Sequence, residues 1–224
     1  MYEWSRGTGC TESDEELNLA PKTAIFWYKE FRNVASWAHE TFISRQIGGF
    51  ASIVEIDECQ IGRRKHHRGR MPTSIWVVGG IVRDSSPPRT FMEVVPSRTR
   101  QVLFQVIARN VARNSHIITD GWRGYTGVDQ IGYIHDIVNH SSNFISPINP
   151  TIYTQNIENL WRCLRRFLNR KGSNTRKHIK EYLHEFVYRR NFPNVFDSFI
   201  DHVRLKPQDD NASFLAATAL LQPP

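Results

Sequence analysis

Apolar and polar positions alternate along the chain with two different periods, so helices and strands can be assigned before any other property is considered. Apolar residues three or four apart predict helices, whereas short apolar runs bounded by turn residues predict strands. The predicted helices span residues 22–46, 99–113, 153–171 and 175–190. The predicted strands span residues 52–58, 74–83, 90–96, 116–120 and 133–139. Gly48-Gly49 separates the first helix from the first strand and marks a domain boundary.

The order of these elements indicates the fold. Three consecutive strands joined by short connections form an antiparallel meander, and the two strands that follow a helix join the first strand in parallel. The prediction is an α/β fold of the ribonuclease H-like kind, with a mixed five-stranded sheet flanked by helices and a short N-terminal helical segment. The predicted units are a disordered N-terminus (1–17), a helical segment (18–49), the ribonuclease H-like domain (50–192) and a C-terminal tail (193–224).

The helical segment carries one further signal. Its residues 19–38, LAPKTAIFWYKEFRNVASWA, could form the second half of a helix-turn-helix, with Lys22 or Thr23 near the start of the recognition helix. A simple helical hairpin fits the same residues equally well. DNA binding by this segment is therefore one of two interpretations.

The charge of the chain points to a polyanionic partner. Its 224 residues carry a net charge of +7 and give a pI near 9.5, which favours nucleic acid first and an acidic membrane surface second. The chain opens without the apolar core of a signal peptide and contains no apolar run of membrane-spanning length. Its three cysteines form no CxxC pair, so neither a disulfide framework nor a zinc ribbon is indicated. We expect an intracellular protein, in the nucleus of a eukaryote or otherwise on cytoplasmic DNA.

Three acids fall where strands and a helix would bring them together. Asp57 lies on the first strand, Asp120 closes the fourth, and Glu158 lies in the first turns of the long helix. Neighbouring carboxylates repel each other, and divalent cations such as Mg²⁺ or Mn²⁺ relieve that repulsion. Two such ions could activate a water or a 3′-hydroxyl for phosphoryl transfer. The predicted site is a two-metal centre on these acids.

Other readings of these acids stay open. A strand-edge aspartate is usually solvated, Asp120-Gly121 could be a simple turn, and a glutamate near a helix start often stabilises the helix dipole. Glu55 and Glu58 are rival ligands. Glu55 shares the strand face of Asp57, whereas Glu58 points to the opposite face and is the weaker candidate.

Basic residues surround the predicted acid site. The loop RRKHHRGR (63–70) follows the first strand directly, and residues 159–190 hold ten Lys or Arg against two Glu. Such a concentration of positive charge suits a surface that follows DNA phosphates. Trp122 could stack on a displaced base, although packing of its loop is slightly favoured. The candidate DNA-binding residues are Arg63, Arg64, Lys65, Arg68, Arg70, Trp122, Arg162, Arg165 and Arg166.

A set of motifs in fixed order gives these residues a family context. They are VEIDE (54–58), GRRKHHRGR (62–70), WVVGGI (76–81), ITDGWRGY (118–125), GYIHDIVNHS (132–141) and YTQNIENLWRCLRRFL (153–168). Over residues 48–192 the chain resembles the catalytic domain of a DDE transposase, in particular the Merlin superfamily and its bacterial ISXO-type relatives. The resemblance implies Asp57, Asp120 and Glu158 as the catalytic and metal-binding triad, with Arg165 as an associated basic position. It also leaves Gln155 or Asn156 as minor alternatives for the third ligand.

The resemblance implies a Mg²⁺- or Mn²⁺-dependent enzyme that nicks transposon ends and joins them to target DNA. DNA would be the partner, a homo-oligomer would hold two ends together, and no membrane would be involved. The region before the catalytic part is shorter than in related transposases and carries no zinc motif, which would fit a truncated copy. Two alternatives remain: a transposon-derived DNA-binding protein without catalytic activity, and a ribonuclease H-like nuclease that acts on RNA–DNA hybrids.

Overall fold

The computed structural model describes residues 1–62, 75–138, 153–171 and 177–207. The helices are α1 (Tyr2–Arg6), α2 (Cys10–Glu16), α3 (Pro21–Phe42), α4 (Arg100–Asn110), α5 (Gln155–Asn169), α6 (Ile179–Asn191) and α7 (Val195–Leu205). The strands are β1 (Ile47–Gly48), β2 (Ile53–Ile61), β3 (Ile75–Val82), β4 (Thr90–Val95), β5 (Val111–Ala112), β6 (His116–Asp120) and β7 (Ile134–Val138). Two short 3₁₀ helices, Arg123–Tyr125 and Val128–Ile131, connect β6 to β7.

Five strands form the central sheet, in the order β4-β3-β2-β6-β7. The β2, β3 and β4 strands pair antiparallel, whereas β6 joins β2 in parallel and β7 joins β6 in parallel. This arrangement confirms the predicted ribonuclease H-like fold, a mixed sheet flanked by helices. The β2 and β6 strands pair Val54 with Ile117 and Glu55 with Ile118. Continuing that register by two residues places Asp57 beside Asp120.

Alternation along β2 divides its side chains between two cores. Val54 and Ile56 belong to a cluster on the face covered by α4, where Leu103 and Ile107 are fully buried. On the other face, Cys59 belongs to a cluster built from α5, α6 and residues of β3 and β4. Because side chains alternate along a strand, the face that carries Cys59 also carries Glu55 and Asp57. Glu55 and Asp57 therefore lie on the face of β2 that is covered by α5.

A third cluster joins the N-terminal helices to α6 and α7. Its centre is Trp4, which is 0% exposed and whose ring centroid lies 4.5 Å from that of Phe199 and 5.8 Å from that of Phe31. The structure thus differs from the disordered N-terminus expected over 1–17 and from the tail expected over 193–224, of which 208–224 lie outside the described residues. The acidic run ESDEE favours disorder, but Trp4 of α1 is buried and Ser13 of α2 is hydrogen-bonded to Tyr28 of α3.

The long helix α3 is continuous and packs against α6. Its buried residues Tyr28, Phe31, Val34, Ala35 and Ala38 belong to the third cluster. Lys22 and Thr23, the positions proposed for the start of a recognition helix, are exposed. DNA binding by the segment 18–49 stays a prediction. Within the described ranges, no helix has the length and apolar character needed to cross a membrane.

Candidate active site

Three carboxylates meet where β2 and β6 lie side by side. Each of Asp57, Glu58 and Asp120 offers one carboxylate oxygen, and these oxygens all lie within 4.8 Å of one another. Asp57 and Glu58 are successive residues of β2, and Asp120 is the last residue of β6. The register of the two parallel strands therefore confirms the predicted proximity of Asp57 and Asp120, and it adds Glu58.

Burial, followed by charge repulsion, raises the pKa of Asp57 and of Glu58. The pKa of Asp57 rises from 3.8 to about 7, first because the side chain is buried and then because Glu58 and Asp120 bring negative charge close to it. Burial is also the main reason why the pKa of Glu58 is raised, and Asp120 adds to it. A cluster of this kind consists only of hard oxygen donors, and it gains most from a nearby divalent cation.

Strand alternation points the side chain of Glu58 away from that of Asp57 and makes it the weaker predicted ligand. Even so, one of its carboxylate oxygens lies within 4.8 Å of those of Asp57 and Asp120, and its role as a ligand stays a prediction. The neighbouring strand β6 ends at Asp120, so beyond this point the sheet no longer separates the two faces of β2 on that side. The side chain of Glu58 is 2% exposed. Its carboxylate accepts hydrogen bonds from the Tyr125 hydroxyl at 2.7 Å and from Arg98 at 3.2 Å.

Arg98 is held beside the cluster by two indole rings. Its guanidinium carbon lies 3.8 Å from the ring centroid of Trp122 and 4.7 Å from that of Trp76. The Trp122 side chain donates its N–H to the Arg98 carbonyl at 3.2 Å, and its backbone N–H donates to Asp120 Oδ1 at 3.0 Å. Trp122 therefore packs against Arg98 and fixes Asp120, whereas its contact with DNA stays a prediction. The sequence pattern gave no signal for Arg98.

Two N–H groups fix the carboxylate of Asp57. The backbone N–H of Glu58 donates to Oδ1 at 2.8 Å, and the indole N–H of Trp161 donates to Oδ2 at 3.0 Å. The indole fits there because the residue paired with Asp57 on β3 is Gly79. A Cβ at Gly79 would lie 2.6 Å from the Trp161 ring. Gly79 of the WVVGGI motif thus leaves the space in which Trp161 of α5 reaches the Asp57 carboxylate.

Glu158 lies on the flank of α5 rather than within the cluster of Asp57, Glu58 and Asp120. Its Oε1 accepts a hydrogen bond from the Thr154 hydroxyl at 3.3 Å. At about 100° per residue, Glu158 is offset by about 60° around the helix from Trp161, on the side opposite Leu164. Leu164 packs in the cluster with β3 and β4, so the flank that carries Glu158 faces the β6 side of β2, where Asp120 lies.

Comparison with known proteins places this geometry in a family. The ISXO2-like transposase domain matches residues 48–191, well over half of the chain. The chain belongs to this family. An uncharacterized transposase-like protein of Haemophilus influenzae is 29% identical over 103 residues, which make up 46% of this chain and 81% of that protein. The matched region spans the whole sheet together with α4 and α5.

The basic residues predicted to bind DNA fall into two groups. Arg63, Arg64, Lys65, Arg68 and Arg70 lie outside the described residues. By contrast, Arg162, Arg165 and Arg166 are exposed on α5. Arg165 also donates an N–H to the Cys59 sulfur at 3.1 Å, which holds it against β2, two residues beyond Asp57. Positive charge thus lies along the same helix that carries Glu158.

Glu55 and Asn156, two of the rival ligands, bind each other instead of joining the acid cluster. Glu55 is 0% exposed, and its Oε1 accepts the Asn156 side-chain N–H at 2.8 Å. Its charge is paired with Arg83, whose Nε lies 2.6 Å from Oε1. Glu55 does share the face of Asp57, as predicted, but it contacts the start of α5. The remaining alternative, Gln155, is exposed.

Proposed function

We propose that this transposase domain nicks DNA at transposon ends and transfers the freed 3′ strand to target DNA with the help of two divalent metal ions, Mg²⁺ or Mn²⁺. The observation that carries the proposal is the convergence of Asp57 and Asp120, from distant parts of the sequence, with a third half-buried acid, Glu58. Family membership supports the same chemistry. The partners would be transposon ends and target DNA, with a homo-oligomer holding two ends together.

The residues present fit a divalent ion. All donors are carboxylate oxygens, and the raised pKa of Asp57 marks a site where a cation would offset repulsion between like charges. Asp57 and Asp120 would hold the metal, Glu58 would lie against them, and Glu158 would complete the set from the flank of α5. When bound, such ions supply Lewis acidity that activates the attacking oxygen and stabilises the leaving oxygen of a phosphodiester.

The chain's own residues would keep the acids in place and hold the substrate. Trp161 fixes one oxygen of Asp57, and the backbone N–H of Trp122 fixes one oxygen of Asp120. Arg162 and Arg165 lie on the same flank of α5 as Glu158, four and seven residues further along, where a DNA strand that enters the site would pass. The basic loop 63–70 would provide further phosphate contacts.

A nicking assay with the Asp120→Asn variant tests the proposal. The substrate is supercoiled plasmid with Mn²⁺ or Mg²⁺, and DNA affinity is measured separately in EDTA. We expect the variant to lose at least about a hundredfold in nicking rate, because a carboxylate ligand is lost, while binding DNA normally. Asn keeps an oxygen that can accept the Trp122 N–H, so the fold should survive. Asp201→Asn, at an exposed acid of α7, is the matched control. Nicking by Asp120→Asn at the parent rate would refute the assignment.

A DNA-binding protein without catalytic activity is the second candidate. It is favoured by one observation, that Glu158 lies outside the cluster of Asp57, Glu58 and Asp120. The same assay separates the two functions, because this candidate binds duplex DNA but leaves it intact with either metal. A comparison of RNA–DNA hybrid with duplex DNA as substrate tests the ribonuclease H-like alternative.

A further inference from the structure

We propose that Glu55 is a positioning residue, whose buried carboxylate sets the register of α5 against β2 and thereby the place of Glu158 and Trp161 relative to Asp57. The proposal rests on the proposed function, since it concerns the same acids. Glu55 lies two residues before Asp57 on the same strand face, but it contacts α5 instead of the acid cluster.

The carboxylate of Glu55 caps α5 from another strand. Its Oε2 accepts the backbone N–H groups of Asn156 and Ile157 at 2.9 and 3.0 Å, and its Oε1 accepts the Asn156 side chain at 2.8 Å. These two amides belong to the first turn, whose N–H groups have no partners within the helix. A negative charge at this end is also favoured by the helix dipole. The start of α5 is thus fixed by a residue about a hundred positions earlier in the chain.

Arg83 extends this attachment to Tyr153, two residues before the start of α5. It pairs with Glu55 through Nε at 2.6 Å, donates another N–H to the Tyr153 carbonyl, and places its guanidinium carbon 3.6 Å from the centroid of the Tyr153 ring. Both side chains of the pair are almost wholly buried, at 5% and 0% exposure. The ion pair therefore holds the chain on both sides of the first residue of α5.

The contacts between β2 and α5 recur at a regular spacing along both elements. Glu55 meets residues 156 and 157, Asp57 meets Trp161, and Cys59 meets Arg165. Two residues of a strand advance about 6.7 Å, and four residues of a helix advance about 6 Å. The contact of Glu55 with the start of α5 consequently determines which residues of α5 lie beside Asp57 and Cys59. A slip of α5 by one residue would rotate its side chains by about 100° and carry Glu158 away from the β6 side.

An apolar residue at position 55 could pack against α5, but such packing is not directional and would not fix the register of α5 against β2. Burying an ion pair costs desolvation, and apolar residues of similar volume often stabilise a fold equally well or better. A carboxylate, in contrast, needs N–H donors at fixed points, so it disfavours any register of α5 in which those N–H groups are out of reach. This is why we assign Glu55 to positioning rather than to stability alone.

The test compares two buried carboxylates. Glu55→Gln weakens the attachment of α5. The double variant Glu55→Gln/Arg83→Met also removes the guanidinium that has lost its carboxylate partner, in case the single variant fails to fold. Glu185→Gln is the matched control, because Glu185 is also 0% exposed and paired with Lys171 and Arg189, but it lies on α6. Each protein is assayed at the same interval below its own melting temperature. The readouts are the Mn²⁺ concentration for half-maximal nicking, the nicking rate at saturating Mn²⁺, and amide hydrogen exchange at residues 156 and 157.

We expect the Glu55 variants to need roughly tenfold more Mn²⁺ and to nick about ten to a hundred times more slowly, as for other groups that orient metal ligands. Amides 156 and 157 should exchange faster, and DNA affinity in EDTA should be unchanged. Parent metal dependence and rate in a folded Glu55 variant, or an equal change in Glu185→Gln, would overturn the proposal. If the parent does not nick, the proposed function fails by itself. Mn²⁺ binding and exchange at 156 and 157 then still decide the role of Glu55.

Discussion

Neutralising Asp57 should stabilise the metal-free protein at alkaline pH, although it removes a residue of the candidate active site. The pKa of Asp57 is about 7 in the folded protein, whereas its ordinary value, without burial or charged neighbours, is 3.8. This gap corresponds to about 4 kcal/mol, at about 1.4 kcal/mol per pKa unit. Above pH 7 the ionised carboxylate therefore lowers the free energy of unfolding by about that amount relative to a neutral side chain.

The Asp57→Asn variant removes this cost but loses one contact. Asn has a single acceptor oxygen, so it can accept from either the Glu58 N–H or the Trp161 N–H, but not from both. The lost hydrogen bond offsets about 1 to 2 kcal/mol. The net gain at pH 8 is then about 2 kcal/mol, which for a chain of this size raises the melting temperature by about 4 to 8 °C.

The sign of the pH dependence follows from the direction of the pKa change. Because the folded pKa is raised, the folded protein holds its proton where the unfolded chain has lost it, and stability falls as the pH rises from about 4 to about 7. Below about pH 4 both states are protonated and the charge of Asp57 costs nothing. The advantage of Asp57→Asn should therefore be absent at pH 4 and complete at pH 8.

The assay is urea unfolding of parent and variant in EDTA at pH 4, 6 and 8, followed by the same series with Mn²⁺. With metal, the parent should gain stability and the variant should gain little, so their order reverses at pH 8. Asp201→Asn serves as the control for a charge change outside the site. If Asp57→Asn destabilises the metal-free protein at pH 8, or if the difference from the parent is the same at pH 4 and pH 8, the description of a crowded, buried acid is refuted.

Three further predictions concern residues around the site and the N-terminal cluster. Gly79→Ala should push the Trp161 ring off Asp57 and reduce nicking by more than about tenfold. Gly80→Ala is the control, because its Cβ would lie 2.4 Å from Phe91 and should lower the free energy of urea unfolding by a similar amount while leaving nicking unchanged. Equal losses of nicking in the two variants would contradict this prediction. Trp161→Phe removes an N–H that lowers the pKa of Asp57, so the acidic limb of the pH–rate profile should move to higher pH, and an unmoved limb would count against the contact. Trp4→Ala should cost about 3 to 5 kcal/mol of unfolding free energy, and a loss below about 1 kcal/mol would show that the N-terminal helices are not docked.

Much of the fold could be predicted from periodicity. The strand patterns, the antiparallel meander and the parallel return of β6 determined that Asp57 and Asp120 would be neighbours, and the structure confirms it. These features depend on local apolar spacing and on general rules of strand connection, which a single sequence displays. Alternation along β2 likewise predicted that Glu55 and Asp57 share a face.

The side-chain partners could not be predicted in the same way. Alternation placed Glu58 on the face opposite Asp57, but it could not show that the Glu58 carboxylate comes close to Asp57 and Asp120 where β6 ends. The role of Glu55 depends on Arg83 and Asn156, which lie 28 and 101 positions away, and no local pattern records such pairings. The N-terminal helices were missed because a single residue, Trp4, supplies the burial that an acidic composition seemed to exclude.

The packing of Trp4 against Phe199 has a consequence for synthesis of the protein. The tryptophan leaves the ribosome well before its aromatic partner Phe199, which follows 195 positions later. Until α7 has emerged, the buried face of α3 that includes Phe31 lacks part of its cover. A nascent chain that stalls shortly before α7 would thus present an aromatic surface to chaperones, even with its central sheet already assembled.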